Sequence, residues 1–266
     1  MTTLAEAAAQ WREWLDSGDY EGGAARVREA LEGADADASP VDRIRVLYAA
    51  HLFAFRRGEP SREFAQETLD RARAVGDVRG ECEGLTGLAR AALREGQWHE
   101  VAEYAAEGVL VARDAADPVA EAPPLHLYAA GVRLSGDYDA ARDLYLESVA
   151  LADRLGDERR KQMEFHNLGW VELHRGDVDS AAGMFAERDA GSGVDAYGDA
   201  WQDINAAAIA LARGSRADAL PLFERGARKL AELGVVLDPD DQSEMDWLTQ
   251  QLERRRFIPR PAAHLE

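Results

Sequence analysis

Six short turns recur along this chain at almost constant spacing: Gly18-Asp19, Gly58-Glu59, Gly96-Gln97, Gly136-Asp137, Gly176-Asp177 and Gly214-Ser215. Their glycines lie 40, 38, 40, 40 and 38 residues apart. A second series falls midway, at Gly76-Asp77, Ala116-Asp117, Gly156-Asp157 and Gly234. Each interval between neighbouring turns leaves room for one helix of about four turns at 3.6 residues per turn. A fixed period of this size predicts a stack of helix hairpins, in which each hairpin buries its apolar face only against its neighbours.

Apolar residues recur with helical spacing almost everywhere, and no segment alternates as a strand does. The pattern places helices near 3–17, 21–33, 41–57, 60–75, 78–95, 97–115, 124–135, 138–155, 158–175, 178–190, 195–213, 216–233 and 240–256. Ser39-Pro40 and Asp238-Pro239 put an oxygen cap before a proline at the first helical position. Pro123-Pro124 should not sit inside a helix, so residues 117–123 are expected to form a loop. Pro221 should bend its helix or delay its start, and Ala190-Gly191-Ser192-Gly193 reads as a joint. The array is expected to be one domain over 1–256, followed by an exposed tail at 257–266.

Counting from each turn glycine reveals a common grammar. Seven residues before it stand Ala89, Ala129, Gly169 and Ala207; five after it stand Val101, Ala141, Ala181 and Ala219. Nine after it, the last three repeats carry Tyr145, Phe185 and Phe223. Small side chains let two helices approach closely, and a ring fills the space left one turn on. Repeats one and two depart from this rule with Trp11 and His51, so the N-terminal third should pack differently.

These positions resemble the tetratricopeptide repeat (TPR) family, most clearly from Asn167-Leu168-Gly169 through Gly176-Asp177 to Phe185 and from Ala129 to Tyr145. The long period is similar to that of the TPR sensor regions of bacterial regulators of the LuxR and MalT type. The resemblance implies an all-α, right-handed superhelical solenoid of about six hairpins with a C-terminal capping helix. It also implies a concave groove lined by the first helix of each hairpin. On the groove positions of this sequence stand Tyr48, Arg56, Arg90, Arg94, Arg133, His166, Asn167, Trp170, His174 and Asn205.

Asn167 and Asn205 share one repeat position, and an amide can grip a peptide backbone through both donor and acceptor. Arg90 and Arg94 lie one turn apart, with Arg133 on the next first helix; converging guanidiniums suit a carboxylate or acidic segment. The competing reading pairs each arginine within a chain that carries 50 acidic residues. His166, Trp170 and His174 share a helix face, but eight residues rise about 12 Å, too far for both imidazoles to ligate one metal. Trp170 reads equally as a stacking platform or as filler between repeats.

Composition narrows the classes. A net charge of −19 argues against tracking nucleic-acid phosphates. The lone Cys82 allows no internal disulfide or cysteine metal cluster, and its acidic neighbours Glu81 and Glu83 disfavour the thiolate. The N-terminal stretch has neither a basic segment nor the apolar run of a secretion signal, and no segment reaches the length of a membrane span. No serine elbow, phosphate loop or zinc-protease motif occurs.

The reading is therefore a cytoplasmic, bacterial, non-enzymatic module that holds a peptide or protein segment. No catalytic residue, metal or cofactor is expected, nor any nucleic-acid or membrane partner, and pairing into a homodimer stays open. Two alternatives remain: a regulatory sensor of a small molecule or peptide, and an enzyme built around His126, His166 and His174.

Overall fold

The computed structural model describes residues 2–35, 38–191, 195–234, 236–254 and 258–259. Among them are thirteen helices and no strand: α1 (Leu4–Asp16), α2 (Tyr20–Glu32), α3 (Pro40–Arg56), α4 (Arg62–Val75), α5 (Val78–Arg94), α6 (Trp98–Asp114), α7 (Pro118–Leu134), α8 (Tyr138–Leu155), α9 (Glu158–Arg175), α10 (Val178–Ala190), α11 (Ala196–Ala212), α12 (Arg216–Leu233) and α13 (Pro239–Arg254). Consecutive helices pack on one another, and α1 touches α3 as α3 touches α5. That is the arrangement of an all-α helical repeat. The chain divides into two compact units, Met1–Gly131 and Val132–Glu266, and α7 spans the division.

The turn grammar has a direct mechanical meaning. All nine turn glycines adopt positive φ, from 62° to 88°, the left-handed conformation that ends a helix without a Cβ penalty. The acid that follows then starts the next helix. Asp19, Asp77, Asp137, Asp157 and Asp177 each accept a hydrogen bond from the backbone N–H three residues on. One cap of this kind stabilises by about 1 kcal/mol. Ala116, at φ 52°, fills the same turn position without being glycine. Ser39 caps α3 as expected, and α13 begins at Pro239 as expected.

One expectation is overturned. Residues 117–123 do not form a loop; α7 is helical from Pro118 and carries Pro123 and Pro124 inside it. The two prolines delete only the hydrogen bonds to the carbonyls of Val119 and Ala120, in the first turn, while Asp117 caps the N–H groups of Val119 and Ala120. Room for the rings comes from α6: a Cβ added at Gly108 would lie 3.0 Å from the Pro124 Cβ. Pro221 likewise lies inside α12, which starts on time at Arg216. The joint expected at 190–193 falls partly on Ser192 and Gly193, outside the described residues, as does most of the tail expected at 257–266.

In the first unit α3 is the central helix. Every residue from Val46 to Phe55 is buried, because α1, α2, α4 and α5 all pack on it. The large residues at the small-residue positions are matched by glycines opposite. His51 sits over Gly87, whose added Cβ would lie 3.3 Å from the ring and 2.8 Å from Ala65. Phe53 similarly lies on Gly23, at 2.4 Å from the missing Cβ. Trp11 meets Tyr48 edge-on. The repeat thus keeps its spacing while exchanging which helix contributes the bulk.

In the second unit α9 is the central helix, buried throughout from His166 to His174. Here the expected grammar holds. A Cβ on Gly169 would lie 2.3 Å from Phe185, so only glycine lets that ring in. Trp170, Phe185, Trp201, Trp247 and Leu248 form one core cluster with Ala181, Ala207 and Ala219.

Candidate functional site

The first-helix residues of the second unit meet α13. Trp247 and Leu248, on its apolar stripe, bury against Trp170 and His174, with Trp247 edge-on to both rings at 6.2 and 4.7 Å. Three carboxylates, Asp240, Asp241 and Glu244, occupy the preceding turn of the same helix. Arg133 donates to Glu244 and, at 3.1 Å, to Asp240. His174 lies 2.7 Å from the second Glu244 oxygen through Nε2. Arg133, His174 and Glu244 are all at most 2% exposed, so this is a desolvated charge cluster. Such clusters break even energetically only when every partner is in place.

Beside it the Tyr197 hydroxyl donates to Asp241. Burial drives the Asp241 carboxyl up to about 6, partly offset by that hydrogen bond. His166 lies 3.6 Å from the other Asp241 oxygen. Its Nδ1 is 3.3 Å from the Asn205 amide nitrogen, which makes Nδ1 the acceptor and leaves the proton on Nε2. Burial, with Arg188 and Arg133 nearby, pushes the His166 imidazole down to about 3, so the ring is neutral at pH 7.

The two asparagines at the shared repeat position do different work. Asn167 donates to the Met163 carbonyl of its own helix at 3.0 Å, whereas Asn205 reaches across to His166. Both are at most 3% exposed, and Trp170 is fully buried within the core cluster.

The first unit presents a different set. Arg90 donates to the Tyr48 hydroxyl at 2.9 Å, and Arg94 donates to the Phe55 carbonyl at 3.0 Å while lying 4.4 Å over the Phe55 ring. Both guanidiniums are half-buried. Among the described residues neither pairs with a carboxylate, and the Arg94 Nε has no acceptor. Elsewhere in this unit the rule is the opposite: Arg45 binds Asp77 and Glu83, and Arg62 binds Glu95 and Glu100. Arg56 is exposed at the end of α3.

The structure therefore brings Tyr48, Arg90 and Arg94 together in one unit, and Arg133, His166, Trp170, His174 and Asn205 together in the other. The residues that sequence reasoning missed are Tyr197 and the three carboxylates of α13. A signal for the latter was present: Asp240 and Glu244 lie in register with Trp247, Leu248, Gln251 and Leu252 on one helical stripe, so carboxylates stand where apolar residues belong.

Catalytic and metal chemistry find little support. Burial, followed by Glu81, Asp117 and Glu83, raises the Cys82 thiol to about 12, and its Sγ donates to the Gly108 carbonyl. Among the described residues no three His, Cys, Asp or Glu side chains gather to hold a metal, and no helix is long and apolar enough to cross a membrane.

No protein-family model matches the chain, and no curated protein matches it in sequence. Solved structures do share its fold. NprR in complex with its cognate peptide NprX superposes with a TM-score of 0.68 at 13% identity, covering 94% of this chain and 72% of that one. A Rap protein complexed with competence and sporulation factor gives 0.64 at 11% identity, covering 95% and 74%. BtubC (BKLC) from P. vanneervenii gives 0.61 at 18% identity, covering 89% and 94%. At these identities the likeness is one of fold, and the fold is a TPR-type helical repeat.

Proposed function

We propose that this chain is a non-enzymatic, regulatory peptide-binding module, and that Arg90 and Arg94 anchor a carboxylate of the bound segment. The observation that carries this reading is the state of those two guanidiniums. In a chain with 50 acidic residues they are held only by neutral acceptors, the Tyr48 hydroxyl and the Phe55 carbonyl. Their half-buried setting strengthens a charge-assisted bond relative to one in open water. Tyr48 adds a hydroxyl, and Arg56 at the open end of α3 offers a further cation for an acidic residue. The fold is shared with two regulators whose structures were solved with peptides bound, NprR with NprX and Rap with its factor, which supports a segment rather than a small metabolite as the ligand.

The test is affinity capture from native extract, identification of the retained peptide or protein, and titration of that segment against the Arg90→Glu/Arg94→Glu chain. Hydrogen bonds to charged groups contribute about 1.5–3 kcal/mol, so the double variant is expected to bind ten- to a hundredfold more weakly. Unchanged affinity would remove Arg90 and Arg94 from the site.

A further inference from the structure

The second unit carries an inference separate from the Arg90–Arg94 reading, because it concerns another set of residues. The face that α9, α11 and Arg133 present is built for an acidic helix. Arg133 spans two carboxylates one turn apart, His174 takes the free oxygen of the second, and Trp170 receives a tryptophan three residues further on. Yet α13 satisfies this face incompletely. Beneath it the Trp170 Nε1, His174 Nδ1, Arg133 Nε and Asn205 Oδ1 are buried without a hydrogen-bond partner. Orphaned buried groups weaken the occupied state. An occupant held mainly through a desolvated ionic cluster also gains little over its hydrated state, since desolvation offsets most of the attraction. Exchange for a second helix of the same pattern restores every ionic contact.

We propose that this face of the second unit is a docking surface for an acidic amphipathic helix presented by a partner, and that α13 is its resident, exchangeable occupant. The recognised pattern is a carboxylate, a second carboxylate one turn on, then Trp-Leu on the same stripe. Binding in trans displaces α13 and exposes its apolar stripe, coupling capture of the partner to a change in what the chain displays.

The test uses the full chain and a fluorescently labelled synthetic peptide with the sequence of residues 238–254. The Trp247→Ala chain loosens α13 without removing anything from the receiving face. It is expected to bind the peptide at least tenfold more tightly than the unsubstituted chain. A peptide with glutamine at the place of Glu244 should lose at least tenfold on the same chain. Should Trp247→Ala fail to fold, the Asp240→Asn/Glu244→Gln chain serves for the same comparison. Equal affinity of the loosened and unsubstituted chains, or indifference to the glutamine peptide, overturns the proposal. Light scattering that shows the loosened chain dimerising and refusing peptide overturns it as well, because the face would then belong to a second copy.

Discussion

The central helices α3 and α9 invite comparison. Each is buried along its middle, and each touches the core of its own unit. From Val46 to Phe55 the first is apolar apart from one neutral histidine and one tyrosine, whereas α9 buries Glu164, His166, Asn167, Glu172 and His174. A helix that is apolar all round is stable wherever it is covered. A helix that buries ionisable groups must import partners for each of them. Those partners come from Ser148 for Glu164, Arg142 and Arg175 for Glu172, and Glu244 of α13 for His174. The polar helix has thereby become a receiving surface with an occupant in place. In the first unit the polar groups lie at the margin of the core instead, on Arg90 and Arg94, and no carboxylate of the chain has reached them.

The sharpest break between the two is expected from arginine removal. Arg133→Ala strands Glu244 and Asp240 in the interior and should cost about 3–5 kcal/mol, whereas Arg90→Ala loses one half-exposed bond to Tyr48 and should cost about 1 kcal/mol or less. Urea denaturation followed by hydrogen exchange resolved by unit measures both. Similar losses for the two variants would mean that the α13 cluster is not desolvated as described.

Overpacking comes next and should treat the units alike. Gly169→Ala pushes a methyl into Phe185, and Gly23→Ala pushes one into Phe53, with unrelaxed separations of 2.3 and 2.4 Å. Each is expected to cost about 1–3 kcal/mol. A cost in one unit only would show that the other ring has room to turn aside.

Acid should distinguish the units through a single carboxyl. Burial holds His51 and His166 down to about 3, so both stay neutral in the fold and charge near pH 6.5 when unfolded. Stability is therefore present above pH 6.5 and is lost as pH falls toward 3, by roughly 1.4 kcal/mol per pH unit for each histidine. Asp241 acts in the opposite sense. Raised to about 6, it takes up its proton in the folded chain before the unfolded one, which returns stability between pH 6 and 4. Asp241→Asn should steepen the acid loss of the second unit by about 1 kcal/mol per pH unit over that range and leave the first unit unchanged. Stability measured by unit at pH 7, 6, 5 and 4 checks it; parallel curves for the variant and the parent chain would count against a buried Asp241.

The smallest effect concerns the odd turn. Ala116→Gly relieves a left-handed alanine and should stabilise by about 1 kcal/mol, less what glycine adds to unfolded-chain entropy. Gly156→Ala, its counterpart in the second unit, should lose a similar amount. Thermal midpoints of the two variants should shift in opposite directions.

Much of the fold could be read before any coordinates, because turn and cap chemistry is local. Glycine at positive φ followed by an aspartate that binds the N–H three residues on depends on four consecutive residues, and it recurs often enough to set the period. The Pro123-Pro124 pair misled for the opposite reason. Whether a helix tolerates two prolines depended on space left by Gly108 on α6, which no local rule can supply. The candidate residues divide in the same way. Spacing placed Arg90 and Arg94 on one helix face, and Arg133, His166, Trp170 and His174 on first helices. It could not say that Glu244, 111 residues from Arg133 along the chain, would meet its guanidinium.

The amino-acid order alone determined the helices, their turns and the hairpin period, since each rests on hydrogen bonds and steric limits within one or two turns of chain. Only the tertiary structure decided which polar side chains are occupied and which stand ready. Desolvation and ion pairing depend on what is nearby in space, and helices far apart in sequence supply it.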